Sequence, residues 1–345
     1  MADVVGCINL SHSPIWGIAP PAGPTEPGGH FITAVNGLCE LAESLSLDAV
    51  VVIGTDHARG LFYDLMPPFT IGVARAQGVG DYDTFSGELA VHTELATAVF
   101  DGVTARGFDP AVSLDLRIDH GLAQVYGKLF PALEVPLVPV ILNSGCPPLP
   151  TFARSWMFGE AIGQALRQSP VSARVLMVGS GGMSHWPNPT SVFDTSISDE
   201  WRDFLIHGRS RVAELEPWRR AKALSIVADK NAGKVNAAWD TDMLVRIKND
   251  TTVLRELDSE DVEELAGNGA HELRTWAAAT AAWGGPLTYV DYEPVAEWIT
   301  GMGAAASHDP GALISALRAK DVPRVPTRSR GKQASTPMDR ITGAR

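Results

Sequence analysis

Nine histidines are spread along this chain, and four of them sit where a catalytic or metal-binding group is useful. His12 lies in Leu10-Ser11-His12-Ser13-Pro14, His57 in Gly54-Thr55-Asp56-His57, and His185 in Gly179-Ser180-Gly181-Gly182-Met183-Ser184-His185-Trp186-Pro187. Each follows an apolar run that reads as a strand. His120, in Ile118-Asp119-His120-Gly121, stands just ahead of another apolar stretch. A lone histidine after a strand is ordinarily a hydrogen-bonded loop residue. Four of them, flanked by Gly, Ser and Pro, are harder to explain that way. His30, His92, His207 and His308 have polar, surface-like neighbours and read as solvated. Two histidines and one carboxylate leave three positions open on a metal ion, the arrangement of non-haem Fe(II) oxygen chemistry. The most conspicuous carboxylate is Glu272, in Gly267-Asn268-Gly269-Ala270-His271-Glu272. It falls in the first turn of a helix expected over residues 270–282, whose body is small and apolar. A charge there calls for a cation or a donor as partner. Spacing alone does not choose between Glu272 and its neighbour His271.

These residues need elements to hold them. Val- and Ile-rich runs over residues 4–10, 49–54, 135–143 and 174–179 predict strands buried on both faces. Between them, residues 31–47, 87–106 and 152–168 carry apolar positions at three- and four-residue spacing and predict helices. The alternation predicts an α/β protein, a central sheet flanked by helices. Residues 198–283 read as mostly helical, and no linker sets them apart. The expected organisation is one catalytic unit over residues 1–310 and a disordered basic tail over residues 322–345. In open α/β sheets, ligands bind beyond the carboxyl ends of strands, which is where His12, His57 and His185 fall.

Composition removes several alternatives. Twenty-eight basic residues against 40 acidic ones give the 345-residue chain a net charge of −12, contrary to the cationic field that nucleic acid requires. Nor does that charge favour a small anionic substrate, unless basic residues gather locally. Beyond Lys320 the tail holds six basic and two acidic residues, so the body is more acidic than the whole chain, at −16. The three cysteines are far apart and form no C-x-x-C pair, which fits a reducing cytoplasm and excludes a thiolate zinc site. The apolar stretch 135–153 contains five prolines and is no membrane helix. The start of the chain has an acid where a signal peptide has its basic region. A soluble cytoplasmic protein is expected. Gly179-Ser180-Gly181-Gly182 hints at a dinucleotide loop, but Ser184 replaces the third glycine and His-Trp-Pro cannot open the required helix. A nucleophile elbow on Ser180 fails as well, because Val178 stands where glycine is needed.

The sequence resembles the class III extradiol ring-cleavage dioxygenases of the single-chain 2,3-dihydroxyphenylpropionate 1,2-dioxygenase type. The resemblance runs through Ser11-His12-Ser13-Pro14, Asp56-His57, Leu61-Phe62-Tyr63-Asp64-Leu65-Met66-Pro67-Pro68-Phe69 and Asp119-His120-Gly121. It continues through Gly179 to His185, His271-Glu272-Leu273-Arg274-Thr275-Trp276 and Glu297-Trp298-Ile299, and covers about residues 4–305. It implies the three-layer fold of that family and an Fe(2+) cofactor. His12, His57 and Glu272 match the metal ligands, and His120 and His185 match the two acid–base histidines. It thereby selects Glu272 over His271.

The implied activity inserts both atoms of O2 into a catechol, with cleavage beside the hydroxyls. A 3-substituted catechol such as 2,3-dihydroxyphenylpropionate is the first expectation. His185 is the candidate base for the second phenolic proton, and His120 the candidate acid for the departing oxygen. Trp16, Phe62, Met183 and Trp186, which lie in the same loops, are candidates for an apolar slot around the ring. The partners implied are a small aromatic diol and O2, with assembly into a homo-oligomer. Alternatives are a 2-aminophenol or biosynthetic-catechol dioxygenase, a hydrolase using Zn2+ at the same residues, and a non-oxidative metal-binding relative.

Overall fold

The structure is a computed structural model that describes residues 1–187, 190–228 and 234–319; the expected basic tail lies outside them. Nine strands form one sheet: β1 (Asp3–Leu10), β2 (Ala49–Gly54), β3 (Phe69–Val79), β4 (Ser86–Leu89), β5 (Ala111–Ile118), β6 (Leu137–Leu142), β7 (Arg174–Ser180), β8 (Tyr289–Val295) and β9 (Thr300–Ala306). Their order is β4-β3-β6-β2-β7-β1-β9-β8, with β5 pairing β3 off this path. The middle four strands, β6, β2, β7 and β1, are mutually parallel, whereas β3 and β9 run antiparallel to their inner neighbours. Parallel strands align their carboxyl ends on one edge. Leu10, Gly54 and Ser180 therefore end side by side.

The helices are α1 (Pro14–Ile18), α2 (Gly29–Ser44), α3 (Thr93–Thr104), α4 (His120–Leu129), α5 (Phe152–Gln168), α6 (Asp199–His207), α7 (Val212–Ala228), α8 (Ala237–Asn249), α9 (Val253–Glu256), α10 (Ser259–Ala266), α11 (Leu273–Trp283) and α12 (Pro310–Ala319). Strand alternation divides the core into two layers. Val51, Ile53, Val175 and Met177 face α3, α5 and α11, whereas Val50, Val52, Leu176 and Val178 face α2 and α4. The run Ala49–Gly54 is buried throughout because both faces of β2 are covered. A third, smaller cluster joins Ala58 and Phe62 to Phe204 and Leu205 of α6, fixing α6 and α7 over the loop that follows β2.

The expected strands over 4–10, 49–54, 135–143 and 174–179 correspond to β1, β2, β6 and β7, and the helix expected over 152–168 is α5. The helix expected over 87–106 is shorter. Its first residues form β4, paired with β3 from Ala76–Leu89 to Val79–Ser86, and the helix begins only where His92 Nδ1 accepts the Leu95 N–H. The helix expected over 270–282 is preceded by a 3-10 turn, Asn268–Glu272, so Glu272 stands at the N-cap position of α11, its side chain free of any capping bond, rather than within the helix. No helix among the described residues is long and apolar enough to cross a membrane.

Candidate metal centre

Three strand ends and one turn deliver the side chains. Ser180 ends β7, and its Oγ lies 3.1 Å from Nδ1 of His12, two residues beyond β1. The Nε2 of His12 faces Glu272 Oε2 at 3.5 Å. His57, three residues beyond β2, lies with Nε2 3.1 Å from Glu272 Oε1. Glu272 is 4% exposed, and its Oε2 accepts the Gly182 N–H at 2.6 Å. His185 Nε2 reaches to 3.9 Å from Glu272 Oε1. The His120 ring stacks on that of His57, with centroids 4.2 Å apart. All five expected residues converge on one point.

Their outer partners fix how each ring presents itself. Carboxylates and carbonyls accept, so the histidine nitrogen facing one must carry the proton. Asp119 Oδ2 takes the His57 N–H at 2.8 Å and Nδ1–H at 3.1 Å. Asp81 Oδ2 takes the His120 Nδ1–H at 2.6 Å, and the Met183 carbonyl takes the His185 Nδ1–H at 2.9 Å. These bonds leave the Nε2 atoms to face inward. Asp81 and Asp119 were not singled out from the sequence. Asp119 directly precedes His120, a position that does signal a strand-end polar pair, whereas Asp81 lies 39 residues from its partner.

Charge differs between the rings, and His57, with a carboxylate at each nitrogen, must give up its Nε2 proton before it can hold an ion. Burial opposes charge on His57, but Asp119 and Glu272 outweigh it and hold its pKa at about 10. Burial would raise Glu272, yet His12, His57 and His185 hold it below the ordinary carboxylate range. Desolvation pushes His12 down to about 3, which keeps its ring neutral. Burial, with the neighbouring His57, also holds His120 below the usual imidazole range. A neutral imidazole beside a carboxylate is a ready ligand pair for a cation. An ion taking ligands at about 2.1 Å and at right angles places neighbouring ligand atoms about 3 Å apart. The spacings between Glu272 and the two rings, 3.1 and 3.5 Å, fit that requirement. Nitrogens of His12, His57 and His120 also lie within 4.8 Å of one another, a second triple that geometry offers.

Glycines make room for His185. A Cβ on Gly269 would fall inside the His185 ring, and Gly267 adopts φ +88° with the His185 carbonyl where its own Cβ would stand. Gly269→Ala is expected to displace that ring and to lower stability by about 1–3 kcal/mol, a drop of several degrees in Tm. Thermal unfolding of the variant checks this; an unchanged Tm means the ring does not occupy that space.

The five residues open into a cavity of about 500 Å³. Of the four expected ring contacts, Trp186 lines it. The other three are buried outside its lining: Trp16 stacks on Trp298, Phe62 packs edge-on against Phe204, and Met183 belongs to the core beneath the sheet end. The lining instead recruits Tyr82, Ile197, Trp201 and Trp218, together with cations from α7, none of which the sequence reading selected. Tyr82 packs edge-on against His120, 4.9 Å between centroids.

The chain is 36% identical over 318 residues to the 2,3-dihydroxyphenylpropionate/2,3-dihydroxicinnamic acid 1,2-dioxygenase of Escherichia coli K12, covering 86% of this chain and 96% of that one. The enzyme of the same description from Escherichia coli O139:H28 matches with the same identity and coverage. Among solved structures, an uncharacterized protein from Escherichia coli K12 shares the fold, with TM-score 0.50, 15% identity, and coverage of 87% of this chain and 98% of that one. Residues 6–303 match the family described as the catalytic LigB subunit of aromatic ring-opening dioxygenase, and every residue of the convergent cluster falls inside that span. The chain belongs to the LigB family of aromatic ring-opening dioxygenases.

Proposed function

We propose that this protein is an Fe(II)-dependent extradiol dioxygenase that cleaves a 3-substituted catechol, such as 2,3-dihydroxyphenylpropionate, beside its hydroxyls. One observation carries the reading: two imidazoles and a buried carboxylate converge at the sheet's carboxyl edge, with two further histidines beside them in one cavity. His12, His57 and Glu272 would hold the ion. Bound there, ferrous iron supplies O2 activation and lowers the pKa of a chelated diol.

The protein's own groups handle the protons. His185 donates Nδ1–H to the Met183 carbonyl, so its Nε2 lone pair faces the reacting ring and accepts a phenolic proton. His120 keeps Nδ1–H on Asp81 at 2.6 Å, so its Nε2 would take up a proton released during the reaction, and Asp81 would balance the imidazolium so formed. Burial works against that charge, so the proton is readily released to a departing oxygen. Trp186 and Tyr82 supply flat, largely apolar walls for an aromatic ring. The relative's printed substrates, both propanoid catechols, support the choice of a side-chain-bearing diol.

The reading treats residues 1–310 as one catalytic body, supported by the continuous sheet in which β9 returns beside β1. Three free cysteines support a cytoplasmic setting, and the family resemblance supports a homo-oligomer. The test is anaerobic reconstitution with Fe(II), then addition of catechols and 2-aminophenols in air. Matched O2 uptake and a yellow ring-opened product from 2,3-dihydroxyphenylpropionate are expected. Iron-loaded protein that is silent across the panel overturns the reading.

A further inference from the structure

In a chain of net charge −12, the wall of this cavity is cationic. Glu272, engaged by the histidines, is the one carboxylate among the described lining residues. Four cations face it. Arg59 is neutralised by Asp81 at 2.9 Å and Glu216 at 3.0 Å. Arg219 and Lys222 from α7, and Lys234 just ahead of α8, make no ion pair with a carboxylate among the described residues.

Each of the three is held by groups that carry no negative charge among the described residues. Arg219 donates to the carbonyls of His57 at 2.6 Å and Ala58 at 2.9 Å, which hold a guanidinium but carry no charge. The carboxylates that act on it, Glu216 and Asp119, are already paired with Arg59 and His57. Lys222 Nζ lies 5.2 Å over the Trp218 ring, and Lys234 Nζ lies 3.9 Å over the Trp186 ring. An aromatic face attracts an ammonium yet brings no counter-ion. Three positive charges with no carboxylate partner among the described residues, a half-buried Arg219 and two exposed lysines, gather at one cavity of an acidic protein and make a field that an anion completes.

We propose that Arg219, Lys222 and Lys234 form a carboxylate-binding subsite for the side chain of the aromatic substrate, and that the two lysines determine specificity for an anionic over a neutral substituent. The proposal rests on the dioxygenase reading for the position of the ring. The test begins with binding, because Trp186, Trp201 and Trp218 line the cavity and report occupancy by fluorescence. With the Fe(II) enzyme held anaerobic, 3-phenylpropionate is expected to bind roughly tenfold or more tighter than 3-phenylpropionamide. That preference should shrink as NaCl rises from about 50 mM to about 500 mM. The double variant Lys222→Gln/Lys234→Gln should lose most of the preference, and Lys222→Arg/Lys234→Arg should retain it. In turnover, the kcat/KM ratio of 2,3-dihydroxyphenylpropionate to 3-propylcatechol should fall by a similar factor in the Gln pair. Equal binding of acid and amide by the unmodified enzyme, or full preference kept by the Gln pair, overturns the subsite. Cleavage that persists without acid preference removes the subsite alone. Acid-selective binding without cleavage of any catechol removes the dioxygenase reading and leaves the subsite standing.

Discussion

Glu272→Ala is expected to yield folded protein that neither retains iron nor cleaves a catechol. The Glu272 carboxylate bridges the two imidazoles, 3.1 Å from His57 and 3.5 Å from His12, and is the one negative charge placed between them. Losing a residue that merely orients a metal ligand typically costs 10–100-fold in affinity, so losing a ligand should exceed about 100-fold. His12→Ala should behave alike, because its Nε2 faces the same carboxylate. Iron content after anaerobic reconstitution, set beside O2 uptake, is the measurement. Glu272→Gln serves as control for packing: it preserves shape and the acceptor for the Gly182 N–H while removing the charge. Iron content and rate near normal in Glu272→Ala refute the ligand assignment.

The scaffold was legible because its central strands are buried on both faces. Runs such as Ala-Val-Val-Val-Ile-Gly have no polar alternation to confuse them, and three of the four long runs end directly before a histidine loop. The outer strands were harder. Tyr289–Val295 carries Asp291, Glu293 and Pro294, and Thr300–Ala306 is mostly Gly and Ala, so neither declares itself without its partner. Their existence is a consequence of pairing, which local propensity does not encode.

The centre divides in the same way. The four histidines proposed for the chemistry stood out by type, and three of them by position after a predicted strand, whereas only the family resemblance told Glu272 from His271. Residues that orient them did not stand out, because Asp81 meets His120 only through the turn that follows β3. The expected ring contacts show the opposite failure. Trp16 and Phe62 are near site histidines along the chain, but nearness in a loop says nothing about direction, and both side chains turn into apolar clusters. Part of the cavity wall comes instead from α7, more than 150 residues after His57 in sequence and fixed over it by the bonds from Arg219 to the His57 and Ala58 carbonyls.

His120→Phe and His185→Phe are expected to keep iron and lose turnover by ~10²–10⁴, the usual contribution of one acid–base group. Phe preserves the ring and removes its proton chemistry. The His120 variant also separates the Glu272 triple from the two other groupings among the described residues, His12, His57 and His120, and Asp81, Asp119 and His120, whose ligand atoms lie within 4.8 Å of one another. The bond from His120 Nδ1 to Asp81, at 2.6 Å, suits either a ligand or an acid. Iron content separates them: retention in His120→Phe with loss in Glu272→Ala fixes the carboxylate as third ligand, whereas loss in His120→Phe places that imidazole on the ion. His185 offers a sharper reading, because its Nε2 is 3.9 Å from Glu272 and its other nitrogen is committed to the Met183 carbonyl. With one tautomer enforced, the ring can accept a proton only at the face turned to substrate. His185→Phe should therefore bind a catechol and iron while failing to take the second phenolic proton, and anaerobic ultraviolet spectra of the bound diol should report monoanion where the unmodified enzyme gives dianion. A dianion spectrum in the variant removes the base role from His185.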